Sequence, residues 1–399
     1  MINKVLFFLL LLLLPTQFGK HFFLDFSYLF GVRVDYLAPV IYLTDIIVFS
    51  LTVINFKIVF KFFKNKKIIF SSILLLINVS LSQLMPISIY WFIKIIEILI
   101  IVSLSKKMLI VLKEKNILLA LLLSGLFEFF LSLYQLINKH SFQGIFYYFG
   151  ERLLTLSLPG VAKASVQGVE FLRPYGTFSH PNSLAGFFLL LYFFVLTHKK
   201  FDRYLILKYL FLFVCSILVF ISFSKVAIIG YLILNILYSI LNTKISCRLC
   251  KVARIIVLSI ISLIFLQATT DPLTINKRIE LIKNSAMIVL SHPIFGVGLG
   301  SYLIGQIKYP SKYHLFFNQP VHNIFLLFIS EMGLLIGGVL VYLVVNRLIK
   351  QKLTKKQWLL IFVIIFTGFF DHYWLTLQQN FLLMGLVMGV TLSRAVPVD

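Results

Sequence analysis

The chain alternates long apolar runs with short polar interruptions, and only two of the interruptions are long. With about 17 to 25 apolar residues taken as the length that crosses a bilayer, the runs predict helices over 2–18, 37–56, 68–84, 87–103 and 116–137. The second part adds 183–197, 204–222, 226–241, 252–268, 321–345, 357–371 and 377–393. The expected fold is all-α, a polytopic integral membrane protein with about twelve transmembrane helices. No internal repeat or low-complexity linker divides it, so residues 1–399 are expected to form one domain.

Composition agrees. The chain is 60% hydrophobic and only 13% charged, and its mean hydropathy of +0.99 lies far outside the range of a soluble domain. The formal net charge of +23 raises nucleic acid as a partner. The basic residues, however, fall in short clusters between apolar runs and not along one face, so no nucleic-acid role is expected. They fit the inner side of a membrane: Lys57 to Lys67, Lys106 to Lys115, Lys199 to Arg203, Lys244 to Arg254 and Arg347 to Lys356 occupy alternate connections. Both termini are then cytoplasmic. The first apolar run has no small-residue cleavage site after it and reads as an uncleaved span. Cys215, Cys247 and Cys250 read as reduced structural thiols, since no second Cys or His pair accompanies Cys247-x-x-Cys250.

The two long connections, about 138–182 and 269–320, fall on the outer side, and their aromatic and apolar residues predict packed, partly helical loops. Arg278 to Leu290 reads as an amphipathic helix at the membrane surface, with Ile279, Ile282, Ala286 and Val289 on one face. These loops collect Arg173, His180, Arg278, His292, His314 and His322, with Asp371-His372 joining from the turn before the last run. Cations and imidazoles with few carboxylates suit a diphosphate, because guanidinium binds phosphate oxygens through two parallel hydrogen bonds. Pro174, Gly176 and Pro181 give the stretch 171–183 an irregular path, which at membrane depth requires protein or a watery cavity beside it.

That stretch, Arg173-x-x-Gly176-x-Phe178-x-x-Pro181-Asn182, resembles the signature of the O-antigen ligase and O-antigen polymerase superfamily. A second block, His292-Pro-Ile-Phe-Gly-Val-Gly-Leu-Gly300 followed by Val321-His322-Asn323 and Glu331-x-Gly333, is similar to the family's second half, so that the likeness spans roughly 117–338. The resemblance implies a metal-independent glycosyltransferase of a bacterial cytoplasmic (inner) membrane, without cofactor, acting in cell-surface polysaccharide biosynthesis. Its donor is a polyprenyl-diphosphate-linked glycan at the outer face. Its acceptor is a hydroxyl of a lipid core or of another lipid-linked glycan. Arg173 and Arg278 are expected to hold the diphosphate and His322 to take or orient the acceptor's proton. His180, Asn182, Lys225, Asn323, Asp371 and His372 are expected to line the substrate. Lys225 departs from the family, which has arginine after the serine corresponding to Ser224.

Blander readings stand beside these. His180 can equally fix a turn, and His292 and His314 read as loop residues. Glu331 lies nine residues beyond His322, roughly 13 Å along a helix, and reads as a structural hydrogen bond to a neighbouring helix. Lys94 and Glu97 are expected to satisfy each other or Glu128. Gly296-Val-Gly-Leu-Gly300 follows no strand and reads as a close-packed turn. Asp371-His372-Tyr373-Trp374 has the aromatic character of an interfacial belt. A transporter or flippase of lipid-linked oligosaccharides is the alternative function. It would place ionisable groups near the midplane of many spans, in repeated halves.

Overall fold

The computed structural model of the protein describes residues 1–241, 248–269, 273–309 and 318–393. Lys244, Cys247, His314, Phe316 and Phe317, and the side chain of Cys250, lie outside the described residues. The first helices are α1 (Ile2–Leu13), α2 (Leu43–Ile54), α3 (Phe56–Phe63), α4 (Lys66–Ser80) and α5 (Met85–Asn138). Then come α6 (Pro181–Thr197), α7 (Leu205–Ile221), α8 (Lys225–Leu241), α9 (Arg248–Leu266) and α10 (Leu273–Ser291). The chain closes with α11 (Tyr302–Gln306), α12 (Ile324–Lys350), α13 (Lys355–Gly368), α14 (Tyr373–Thr376) and α15 (Gln378–Ser393).

A helix forms at each predicted run, usually a few residues shorter. Among the described residues, α12 has by itself the length and apolarity of a membrane crossing, and α2 with α3 does so only as a pair bent by 91°. The apolar surface is nonetheless that of a membrane protein: Phe49, Phe213 and Leu263 are 69%, 62% and 59% exposed. Side chains of that size, repeated over many helices, need an apolar surrounding.

The runs 87–103 and 116–137 are one continuous element, α5, broken at Lys113 (φ 59°, ψ 161°). Straight, its 54 residues would extend about 81 Å, more than twice the roughly 30 Å apolar core of a bilayer. Both ends instead meet the long loops, Ser88 Oγ donating to the Leu299 carbonyl (2.5 Å) and Gln135 Nε2 to that of Gly176 (3.1 Å). The chain therefore doubles back at Lys113, which leaves the cluster Lys106 to Lys115 at the far end. Other basic turns reach the same end. Lys200 pairs with Glu114 at 3.6 Å, while Arg254 and Lys356 both stand over the Tyr238 ring.

Between the loops and this basic end runs α6. Every residue from Ser183 to Leu196 is buried, so it is the axis around which α5, α7, α8, α13 and α15 pack. Its apolarity on all sides is what an axial helix requires.

The all-α expectation misses three short antiparallel pairs in the loops: β1 (Gly19–His21) with β4 (Val40–Tyr42), β2 (Tyr28–Leu29) with β3 (Val32–Arg33), and β5 (Lys163–Val166) with β6 (Val169–Leu172). The last is joined by Gln167-Gly168, both at positive φ (51° and 82°), as a tight two-residue hairpin turn requires. Ser165 and Thr269 exchange backbone hydrogen bonds (3.0 and 2.9 Å), which ties the two long loops together. The helix expected at Arg278 to Leu290 is the body of α10. Ile279 and Ile282 are exposed along one face, and the other face buries Leu281, Asn284, Ser285 and Ile288 with Ser285 against Ser330 of α12 (2.9 Å).

The glycine-rich block is a close-packed turn lodged in a break of α12 at Gly333 (φ 68°, ψ 173°). Released carbonyls of α12 take new donors, Val297 N–H to Ser330 (2.9 Å) and Gly298 N–H to Glu331 (3.0 Å), while Leu334 N–H turns to Pro293 (2.7 Å). Only glycine adopts that backbone conformation readily, and a methyl group there would overlap the Ile294 carbonyl. Gly333→Ala is accordingly expected to destabilise the fold by about 3 kcal/mol. The measurement is thermal unfolding in detergent, where an unchanged midpoint would mean that the break is not locked by this packing.

Of two charge expectations, one is extended and one holds. Lys94 does pair with Glu97 (3.5 Å), but its shorter contact is Asp45 (2.5 Å) at the start of α2. Gln378 bonds both carboxylates, at 2.7 Å for Asp45 and 3.3 Å for Glu97. Glu128 lies elsewhere, under the 173–182 stretch. Glu331 is structural as expected: its carboxylate accepts from the backbone of Gly300 and of Tyr302, the first residue of α11.

Candidate active site where the two long loops meet

The site begins with the start of α6. Pro181 occupies its first turn, where the missing N–H costs nothing, and His180 Nδ1 caps it by accepting from Asn182 N–H (3.1 Å). That bond makes His180 a turn-fixing residue with Nδ1 unprotonated. Burial first, and then the Arg173 cation, push its imidazole down to about 3.

Arg173 is 8% exposed. Its Nε donates to the Ser222 carbonyl (2.8 Å) and its Nη2 to Asn182 Oδ1 (2.7 Å). Asn182 Nδ2 in turn donates to Asp371 Oδ2 (2.9 Å). Since guanidinium only donates and carboxylate only accepts, the amide orientation is fixed. Asp371 Oδ1 accepts the His372 N–H (2.8 Å) and faces His322 Nδ1 at 3.4 Å. A single hydrogen-bonded path thus runs from Arg173 through Asn182 and Asp371 to His322, joining residues up to 198 positions apart (371 − 173). Burial alone would raise the Asp371 carboxyl, but the imidazoles of His322, His372 and His180 hold it well below its ordinary range.

Arg278 enters from α10. Its Nε is buried without a hydrogen-bond partner, and its charge acts on Arg173, His180 and His372. A buried guanidinium nitrogen without a partner is costly, and the Arg173 cation acts on the same surroundings. Burial lowers Arg173 to about 10, which leaves it cationic at neutral pH.

The remaining expected residues divide. Asn323 caps α12, its Oδ1 accepting from Phe325 and Leu326 (2.9 and 3.0 Å) and its amide donating to the Phe369 carbonyl (3.1 Å). Lys225 is exposed on the first turn of α8. The link to Arg173 comes instead from the end of α7, through the Ser222 carbonyl. His372 is buried beside His322 (ring centroids 5.1 Å) with Nδ1 on Thr376 Oγ1 (2.7 Å). His292 bonds Gln83 and Ser291 (3.0 and 2.8 Å) as a loop residue. Sequence reasoning missed Tyr36, whose ring meets His372 edge-on at 5.6 Å, and Asp371 as the partner of His322. Neither carries a local signal.

Ligand atoms of His322, Asp371 and His372 lie within 4.8 Å of one another, close enough for one metal ion. Against that use, both Asp371 oxygens already accept protein donors and Arg173 and Arg278 add positive charge nearby. The arrangement fits a proton relay better than a cation site.

Burial also lowers His372, from an ordinary 6.5 to about 3, overriding the Asp371 carboxylate that would raise it. A histidine lowered on folding binds its proton in the unfolded chain first. Its stability contribution is therefore complete above about pH 6.5 and lost as pH falls toward 3, by up to about 1.4 kcal/mol per pH unit. Asp371, depressed from 3.8, adds acid sensitivity only below that value. Unfolding midpoints in detergent between pH 7.5 and 4.5 should fall for the wild type and fall less for His372→Asn. Parallel curves would contradict a neutral buried His372.

The fold and site define an α-helical membrane protein with guanidinium and imidazole groups gathered where its loops meet. Residues 175–343 match the family described as O-antigen ligase, a likeness that supports the O-antigen ligase/polymerase superfamily of bacterial inner-membrane proteins. Its members are glycosyltransferase-like enzymes with lipid-linked glycan substrates. No curated protein matches the chain. Arg278, His322 and Asn323 fall inside the matched stretch, whereas Arg173, Asp371, His372 and Tyr36 lie outside it.

Proposed function

We propose that the protein transfers a glycan from a polyprenyl-diphosphate carrier to an acceptor hydroxyl, at the extracytoplasmic face of the membrane and without metal or cofactor. The chain would cross the bilayer about twelve times with both termini inside. The clustering of basic turns at the end away from the site supports that orientation. In the transfer, the acceptor oxygen attacks the anomeric carbon and the bond from sugar to phosphate breaks. The electron pair leaves on the lipid diphosphate, and the acceptor's proton passes to His322. Arg173 and Arg278 neutralise the charge that grows on the leaving phosphate. Asp371 accepts from His322 Nδ1, which leaves Nε2 as the basic nitrogen and stabilises the imidazolium.

The observation that supports this reading is the path Arg173–Asn182–Asp371–His322, which links a guanidinium to an imidazole beside a carboxylate. The test is incubation of purified protein with a polyprenyl-diphosphate glycan and candidate acceptors in the presence of a chelator. A larger glycoconjugate plus free polyprenyl diphosphate is expected. Donor left intact with every acceptor would overturn the reading, and activity that the chelator abolishes would overturn its metal independence. The accepted partner, a lipid core or a second lipid-linked unit, separates ligase from polymerase.

A further inference from the structure

Glu128, in the second half of α5, is 0% exposed and makes no ion pair among the described residues. Thr177 N–H donates to its Oε2 (3.0 Å), and Thr177 Oγ1 lies 2.6 Å from its Oε1. The same hydroxyl lies 2.8 Å from the Pro15 carbonyl. A carbonyl only accepts, and threonine has one hydroxyl hydrogen. That hydrogen goes to Pro15, so the 2.6 Å contact needs a hydrogen from the carboxyl. A carboxylate there would set two bare acceptors together at the length of a strong hydrogen bond, unpaired in a buried place.

We infer that Glu128 is a neutral carboxylic acid acting as a positioning residue for the Arg173–His180 turn, giving a hydrogen bond to Thr177 Oγ1 and taking one from Thr177 N–H. The donation directs Thr177's own proton to Pro15 and so ties the end of α1 to the turn. Gln379 Nε2 also donates to Pro15 and reaches the Thr177 carbonyl (3.4 Å). Beside it, Gln135 Oε1 accepts from both Tyr175 and Gly176 N–H (2.9 Å each). Gly176 sits at φ +57°, where a Cβ would overlap Glu128 Oε2, so the turn can lie directly on the carboxyl. Backbone from Tyr175 to Thr177 is thus fixed from α5, with Arg173 two residues before it and His180 and Asn182 just after. Glu128 itself touches none of the groups assigned to substrate. Both it and Pro15 lie outside the family-matched stretch.

The inference rests on the transfer reading only for its activity arm. Glutamine can reproduce both bonds, Nε2 donating to Thr177 Oγ1 and the amide oxygen accepting from its N–H, so Glu128→Gln should keep kcat within about twofold. Glu128→Leu removes both and should lose roughly 100-fold in kcat at comparable insertion, the scale of an ångström-sized misplacement. Thr177→Val, which keeps the backbone bond, should show a smaller loss in the same direction. Infrared difference spectra of wild type minus Glu128→Gln at pH 7.5 provide a readout that needs no substrate. They should contain the C=O band of a protonated carboxyl that the variant lacks. A carboxylate band in its place, or a Glu128→Gln loss as large as that of Glu128→Leu, would overturn the neutral acid. Full kcat in Glu128→Leu would overturn the positioning role.

Discussion

His322→Ala is expected to lower the transfer rate by a factor of about 10² to 10⁴ while leaving insertion and the unfolding midpoint close to wild type. The imidazole is partly accessible, with a side-chain exposure of 15%, and its polar contact is with Asp371 Oδ1, 3.4 Å from Nδ1, so little packing is lost with it. Its chemical loss is large because Nε2 is the nitrogen left to face an incoming hydroxyl. Asp371→Asn should lose much of the same activity, since an amide no longer selects the tautomer that bares Nε2. Combined, the two substitutions should cost scarcely more than His322→Ala alone, as groups acting as a unit do. Initial rates at saturating donor and acceptor provide the measurement. A His322→Ala enzyme within tenfold of wild type would remove the imidazole from the chemistry, and additive losses would separate Asp371 from it.

How much of this was legible follows from what kind of signal each feature leaves. The helices leave an apolar run as long as themselves, so even α6, buried on every side, reads correctly from 183 to 197. The doubling back of α5 at Lys113 is visible as a basic interruption, although no glycine or proline marks it. The β5–β6 hairpin did leave a signal, Lys-Ala-Ser-Val and Val-Glu-Phe-Leu alternating around Gln167-Gly168. The aromatics of the surrounding loop outweigh it and suggest packed, partly helical structure instead. Arg173 and His322 are legible through spaced motifs. Asp371 is legible as a lining residue but not in its partners: it reaches His322 across 49 positions and Asn182 across 189, and no local pattern announces either. Glu128 is a lone acid in an apolar run, and only the Thr177 and Pro15 contacts give it a role.

Arg173→Ala is expected to lower transfer by about 10² to 10³, the usual loss when one donor to a developing anion is removed. Arg173→Lys should recover little of it. The guanidinium divides its five N–H donors, giving Nε to the Ser222 carbonyl and one Nη2 hydrogen to Asn182. Three are left for phosphate oxygens, in a plane those two bonds fix. A lysine ammonium carries the charge but cannot hold Ser222 and Asn182 while presenting a flat pair of donors. Losing the Asn182 bond would also free Asp371 Oδ2 from its alignment, so the lysine variant should resemble Asp371→Asn in rate as well as in weakened donor binding. Rates and donor KM for Arg173→Lys, Arg173→Ala and Asn182→Ala decide between two roles. If charge alone matters, lysine restores most of the activity and Asn182→Ala is nearly silent. If the path from Arg173 to His322 matters, both variants fall well below wild type, and Arg173→Lys combined with Asn182→Ala is no worse than Arg173→Lys.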